Sequence, residues 1–279
     1  MKVLKSLLVL VPLTFSTIHS FAQYKFVKNG DFYFSWGYNT EWYSKSDLYI
    51  NQPELKNDYA FKDINAKDHI GWDKLFQRAL SIPQYNYRLG YFFNEAQDLA
   101  FEINFDHTKY IVSNNQTVNV AGKMNGAAVN SSVLITDSVL VYFLNNGANF
   151  LLFNLVKKKN IYSSPSSNFK LCALLKGGVG PVIPHVENVI YGKRNVPHFQ
   201  VGGWNTGLEG AIKMTLFKYA FVEFCNKLDY ARYANLRIYN GLARQSFFTY
   251  EIILNLGITF PCGQKKSNNS PQISSPKGE

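Results

Sequence analysis

Phe247-Phe248-Thr249-Tyr250-Glu251-Ile252-Ile253-Leu254-Asn255-Leu256-Gly257-Ile258-Thr259-Phe260 is the stretch on which the fold turns. Its even positions, from Phe248 to Phe260, are all large and apolar, whereas Thr249, Glu251, Asn255, Gly257 and Thr259 are small or polar. A period of two belongs to a β-strand with one oily and one polar face. Two environments accept such a strand. In a soluble sandwich the oily face meets a second sheet; in a membrane barrel it meets lipid and the polar face lines the interior.

The opposite end of the chain bears on that choice. Met1-Lys2-Val3-Leu4-Lys5 is basic, Ser6 to Phe15 is mostly apolar, and Ser20-Phe21-Ala22 offers a small-residue cleavage site before Gln23. Residues 1–22 therefore read as a secretory signal peptide, with no Cys at the cleavage point to carry a lipid anchor. No other segment approaches the roughly 20 apolar residues of a spanning helix. The 18 Tyr and 22 Phe, nearly all beyond the signal, are a heavy aromatic load that membrane-interface girdles would absorb. The formal charge of +10, two of it in Lys2 and Lys5, suits anionic lipid or lipopolysaccharide; nothing argues for nucleic acid. Cys172, Cys225 and Cys262 are odd in number and far apart, which is no disulfide framework, and no metal-ligand spacing or cofactor motif occurs.

Alternation recurs along the chain. A first strand, Phe32 to Trp42, sets Phe32, Phe34, Trp36, Tyr38 and Trp42 against Ser35, Gly37, Asn39 and Glu41. Others follow at Tyr85 to Asn94, Leu99 to Val112, Asn149 to Lys157, Phe169 to Val179, Trp204 to Leu216 and Ala220 to Tyr230. Short links at Asn94 to Asp98, Ser163 to Ser166 and Phe217 to Tyr219 alternate with long excursions. Residues 43–83 and 113–147 are polar and read as external loops, the first with a short amphipathic helix at Trp72 to Leu80. Pro181 to His198 and Asn235 to Arg244 read as the remaining loops, and 261–279 as a disordered periplasmic tail. With the terminal strand the count is about eight. The expected fold is all-β: a closed antiparallel transmembrane β-barrel over 23–260, with long extracellular loops and short periplasmic turns.

A terminal strand that alternates and closes on an outward Phe260 resembles the strand by which bacterial outer-membrane barrels are recognised. The chain up to Phe260 resembles small outer-membrane β-barrels of the OmpA, OmpX or OmpW kind. Ile82-Pro83-Gln84-Tyr85-Asn86-Tyr87-Arg88 and Phe105-Asp106-His107-Thr108-Lys109-Tyr110 also resemble an uncharacterised family of such barrels. The resemblance implies an outer-membrane monomer in contact with lipid and lipopolysaccharide, delivered to the barrel-assembly machinery through the strand ending at Phe260. Lipid A deacylases of this general form carry a His-x-Ser-Asn stretch. The nearest approach here is Asp106-His107-Thr108, in which His107 faces away from both neighbours. His107 is thus a weak candidate for catalysis.

Parity assigns Glu41, Arg88, Glu102, Asp106, Lys170, Lys176, Glu209, Lys213, Glu223, Lys227 and Glu251 to the interior, with the two signs nearly balanced. An eight-stranded barrel is only wide enough for its own side chains, so these charges must pair. Arg88, Glu102, Asp106, Glu209, Lys213, Glu223 and Lys227 are the salt-bridge candidates. A turn centred on Lys218 would set Lys213 opposite Glu223 and Glu209 opposite Lys227. The functional expectation is a non-enzymatic barrel with a closed lumen and surface-exposed loops. The alternatives are a lipid A deacylase-like acyl hydrolase and a narrow OmpW-like channel for small hydrophobic molecules. The protein should fractionate with outer membranes and shift in gel mobility on heating, because a closed barrel resists detergent in the cold. Recovery as soluble periplasmic material would contradict the reading.

Overall fold

The computed structural model describes residues 30–69, 84–94, 96–144 and 147–262. The expected helix at Trp72 to Leu80, the signal peptide and nearly all of the C-terminal tail lie outside them. In chain order the strands are β1 (Asp31–Tyr43), β2 (Ser46–Gln52), β3 (Asn57–Ile64), β4 (Ala66–Lys67), β5 (Tyr85–Phe92), β6 (Leu99–His107), β7 (Tyr110–Val112), β8 (Thr117–Met124) and β9 (Ala127–Leu134). They continue with β10 (Leu140–Leu144), β11 (Phe150–Ser163), β12 (Phe169–Pro181), β13 (His185–Ile190), β14 (Lys193–Arg194), β15 (His198–Phe199), β16 (Gly203–Leu216), β17 (Ala220–Ile238) and β18 (Gly241–Pro261).

Eight of these strands form a ring, β1-β5-β6-β11-β12-β16-β17-β18, in which every neighbour is antiparallel. The seam is the pairing of β1 with β18, from Asp31↔Pro261 to Tyr43↔Thr249, which uses all 13 residues of β1. Side-chain parity does the rest. On β18, Thr249, Glu251, Ile253 and Asn255 are buried within the ring, while Leu254 and Leu256 point outward at 54% and 58% exposure. Leu175, Leu208 and Leu228 are as bare. A continuous apolar band on a folded surface needs an apolar medium. From Phe248 to Phe260 the band runs roughly 40 Å along the strand, or about 30 Å along the normal at barrel tilt, which is a hydrocarbon core with its interfaces. Polar groups on this face are satisfied locally: the Tyr250 hydroxyl donates to Asn226 Oδ1 at 2.5 Å, and Thr206 Oγ1 donates to the Gly178 carbonyl at 2.8 Å.

At one end the ring strands are joined by short links. Phe217 and Lys218 both adopt left-handed backbone, with φ of 50° and 70°, and the resulting turn pairs Leu216 with Ala220. It fixes the register in which Lys213 faces Glu223 and Glu209 faces Lys227.

The other end departs from expectation. Among the described residues the excursions are strands and not loops. Residues 44–69 hold β2, β3 and β4, residues 113–144 hold β8, β9 and β10, and residues 182–202 hold β13, β14 and β15. The strand expected to run from Leu99 to Val112 stops at His107, and β7 joins a different sheet. Asn235 to Arg244 is no loop either, since β17 and β18 continue past the ring to a tight turn at Tyr239-Asn240. β2 pairs with this extension of β18, and β3, β8 and β9 follow outward from it. A second sheet, β14-β13-β10-β7-β4, closes over the first. Between them lies one hydrophobic cluster that includes Leu48, Phe61, Val120, Leu140, Tyr142, Val186 and Leu236. The excursions bury these residues by folding together, and the polar positions that dominate their sequence form the outside of the cap.

The turn Asn125-Gly126, with φ of 53° and 82°, ends the β8–β9 hairpin at the exposed margin of this cap. An epitope inserted there should be reached by antibody on intact cells. The same insertion within β8 at Val118 to Val120, whose valines lie in the cap core, should abolish surface display. Labelling only after permeabilisation would reverse the topology.

Candidate functional site

The ring encloses three layers. Nearest the short links is an apolar floor of Tyr33, Phe92, Ala100, Val156, Leu174, Ala211, Phe221, Cys225 and Ile253. Next come the charges. Above them, where the ring opens into the cap, lies an aromatic ceiling: Tyr110 stacks on Phe247 at 4.5 Å, Tyr233 on Phe247 at 5.4 Å, and Tyr43 meets both Tyr110 and Phe247 edge-on. The hydroxyls in that ceiling are used. Gln245 Nε2 donates to Tyr110 Oη at 2.7 Å, and Tyr233 Oη donates to the Ala148 carbonyl at 2.9 Å. Burial pushes the Tyr110 phenol up to about 12, so it stays neutral in the cap.

The charged layer falls into two groups. In the lower one, Arg88 Nη1 lies 2.5 Å from Glu209, 3.6 Å from Glu223 and 3.8 Å from Glu102. Lys176 Nζ meets the same three carboxylates at 3.1, 2.6 and 3.1 Å. Tyr33 Oη and Asn154 Nδ2 donate to the two oxygens of Glu102 at 2.8 and 3.0 Å. In the upper group, Lys227 Nζ lies 2.5 Å from Asp106, 2.9 Å from Asp229 and 3.5 Å from Glu251. Beside it, Glu41 accepts from Tyr43 Oη at 2.8 Å, from Gln84 Nε2 at 3.1 Å and from Asn39 Nδ2.

All seven salt-bridge candidates lie inside the ring and are buried, but their contacts differ from those the register implies. Lys213 faces Glu223 across the ladder and makes no ion pair with it among the described residues. Its Nζ sits instead over the rings of Phe221 at 3.5 Å and Tyr33 at 4.7 Å, while Glu223 is taken by Lys176 and Arg88. Glu209 bonds Arg88, not its ladder neighbour Lys227. The strongest contacts run across the lumen: β5 and β16 stand opposite in the ring, as do β6 and β17, so Arg88–Glu209 and Lys227–Asp106 each span a diameter. Two further expectations are corrected. Lys170, near the short-link end of β12, is exposed. Asp229, which parity on β17 would have supplied, joins the interior, so that seven buried carboxyls face the four cations Arg88, Lys176, Lys213 and Lys227 and the balance is acidic.

His107 ends β6 with its ring stacked on Tyr85 at 4.6 Å and Nδ1 2.9 Å from Asn149 Oδ1. No serine, threonine or carboxylate is hydrogen-bonded to a histidine ring nitrogen among the described residues. The one trio of potential metal ligands there, Glu209, Glu223 and Cys225, surrounds positions already filled by the Arg88 and Lys176 cations.

No protein-family model and no curated protein matches the chain. Solved structures with a similar course include Ail, the attachment invasion locus protein of Yersinia pestis, in complex with the heparin analogue sucrose octasulfate (11% identity, 83% of this chain and 99% of that one, TM-score 0.32). They also include the outer membrane protein OprG from Pseudomonas aeruginosa (12% identity, 84% and 97%, TM-score 0.39) and the outer membrane protease OmpT from Escherichia coli (11% identity, 85% and 98%, TM-score 0.38). Identities this low transfer no residue's role. The chain's own geometry carries its class. An eight-membered antiparallel ring with an apolar outside and a charged inside is a small outer-membrane β-barrel, since among β structures a closed ring is what satisfies the backbone in lipid.

Removing one buried ion from these groups strands its partners. Lys227→Met leaves Asp106, Asp229 and Glu251 without their cation and should cost about 3–5 kcal/mol in urea unfolding of the micelle-bound protein. Lys213→Met removes a cation held over two rings and should cost about 1–2 kcal/mol. In double-mutant cycles, Lys176 with Glu223 should couple more strongly than Lys213 with Glu223. Equal coupling would refute the assignment of partners.

Proposed function

We propose that this protein is a sealed, non-enzymatic outer-membrane barrel whose work is done by the folded cap it holds outside the cell. The observation that carries this reading is the aromatic ceiling of Tyr43, Tyr110, Tyr233 and Phe247, which belongs to the ring and the cap at once and lies across the mouth of the lumen. Below it, ion pairs fill the bore and an apolar floor closes the far side. A water-filled path would require all three layers to part. The barrel then serves as an anchor, its extent set by residues 23–260, and the cap as an interaction surface. Delivery through a cleaved signal at 1–22 and recognition of the strand ending at Phe260 by the assembly machinery complete the proposal. The pairing of Arg88, Glu102, Asp106, Glu209, Glu223 and Lys227 stabilises the anchor in place of lining a route.

In planar bilayers the purified protein should give no stepwise conductance. Replacing the ceiling by Tyr110→Ala and Phe247→Ala should loosen the cap without opening the charged layer. Steady single-channel steps from the native protein would overturn the closed-lumen reading in favour of a narrow channel. A change in the mass of lipid A between cells with and without the protein would favour an acyl hydrolase.

A further inference from the structure

Just above the lipid band, the outer wall of the barrel carries a cleft that backs onto Tyr233 and Gln245 and includes no residue of the charged layer. Its volume is about 420 Å³, and Tyr49, Tyr230, Arg232, Arg244 and Ser246 are among the residues that line it. Its origin is a break in the β17–β18 ladder. Regular pairing stops at Tyr233↔Gln245 and resumes at Leu236↔Ala243, with Asn235 in left-handed backbone, and Arg244 lies opposite the extra residues.

The cleft is basic. Arg232 pairs in register with Trp204 on one side and Ser246 on the other, and Arg244 pairs with Tyr49 of β2; all five are on the outward face. Both arginines are exposed, and neither guanidinium is bridged to a carboxylate among the described residues. Arg244 lies over the Tyr49 ring at 4.7 Å and Lys62 over the same ring at 4.8 Å. The acidic group present, Asp47, is committed: Lys62 Nζ lies 2.7 Å from it, and the backbone of Asp63 donates to it at 3.0 Å. Partial burial opposes the charge on Asp47, but these hydrogen bonds and that of Tyr49 outweigh it and hold the carboxyl below its usual range. Lys62 is therefore neutralised, and two arginines are left with unspent donors.

Depth selects the ligand. Directly beneath the cleft runs a collar of rings in contact, Trp204 with Tyr230 at 5.7 Å and Tyr230 with Phe248 at 5.0 Å. Arg232 stands two residues beyond Tyr230 on its strand, roughly 7 Å higher before tilt is allowed for. Aromatic collars of this kind mark the boundary between hydrocarbon and head groups. A guanidinium at that height, with rings and an apolar wall below, meets an anion that is tied to acyl chains. Guanidinium donors match the geometry of phosphate.

We propose that the Arg232–Arg244 cleft binds a phosphate group of an outer-leaflet glycolipid, with the acyl chains lying against Trp204, Tyr230 and Phe248. The inference rests on the membrane-spanning reading and extends it to one lipid position on the barrel wall.

The test uses the full-length protein in detergent micelles, titrated with bis-phosphorylated lipid A and read by native mass spectrometry. Lipid A with its phosphates removed, inorganic phosphate, and the variants R232Q/R244Q and R232K/R244K form the other arms. Heat-shifted gel mobility of each variant reports that the barrel is intact, so a failure of the membrane fold is seen separately from a failure of the site. The native protein should hold one lipid A, and R232Q/R244Q should weaken binding by at least about tenfold. R232K/R244K should retain part of the affinity, and R237Q, on the same strand but outside the cleft, should retain all of it. Loss of the phosphates from the lipid should mimic R232Q/R244Q. Equal binding by R232Q/R244Q and the native protein would overturn the site. Displacement of lipid A by micromolar inorganic phosphate would overturn the lipid as ligand in favour of a soluble anion.

Discussion

Charge buried inside a narrow ring has to be answered from within it, and this constraint orders the rest of the structure. Arg88 and Lys227 reach past their ladder neighbours to Glu209 and Asp106 on the far wall. The reach is possible because eight strands enclose a bore that long side chains can cross. Each cation then serves three carboxylates, as does Lys176, so no single replacement by an apolar residue leaves the remainder satisfied. The layers above and below follow from the same need. Ion pairs of this kind weaken when water enters, and they lie between the apolar floor around Phe92 and Phe221 and the aromatic ceiling around Phe247 and Tyr110.

The cap solves a different problem with the same strands. β17 and β18 leave the bilayer without ending, and their extensions supply one edge onto which β2, β3, β8 and β9 are added. Along these arms the inward side changes from ions to apolar residues such as Tyr233, Leu236, Ala243 and Phe247. The cap core is thus continuous with the lumen wall, which ties the orientation of the cap sheets to the barrel.

Much of the ring was legible in the sequence because lipid outside and charge inside impose a strict period of two. Phe32 to Trp42, Tyr85 to Asn94 and Phe248 to Phe260 read as strands from alternation alone, which suited a sandwich as well as a barrel. The cap strands were obscured by their polar outer faces, although the signal existed: Asn125-Gly126 between Thr117-Val118-Asn119-Val120 and the valines of β9 is a hairpin signature, and Tyr191-Gly192 is a weaker one. Register could be deduced from the turn at Lys218. Partner choice could not, because contacts across a lumen depend on where eight strands stand around a circle, and local spacing is silent on that. Lys213 shows the difference, since it has the expected neighbour opposite it and a pair of aromatic rings as its actual company.

The diametric contacts also bear on how the molecule is made. Arg88 and Glu209 are separated by 121 residues and by half the circumference, and so are Asp106 and Lys227. Neither contact can form in a growing sheet that is still open, where the two walls are far apart and the ions remain hydrated. Zipping β1 onto β18 brings the walls together and strips that hydration in the same movement. Assembly of the seam is therefore a commitment step: before it the inner face is a wet, charged surface, and after it reopening would mean parting several ion pairs at once. Closure over such sequence separations is slow in any chain, and here the same step sets the order in which the buried ions meet.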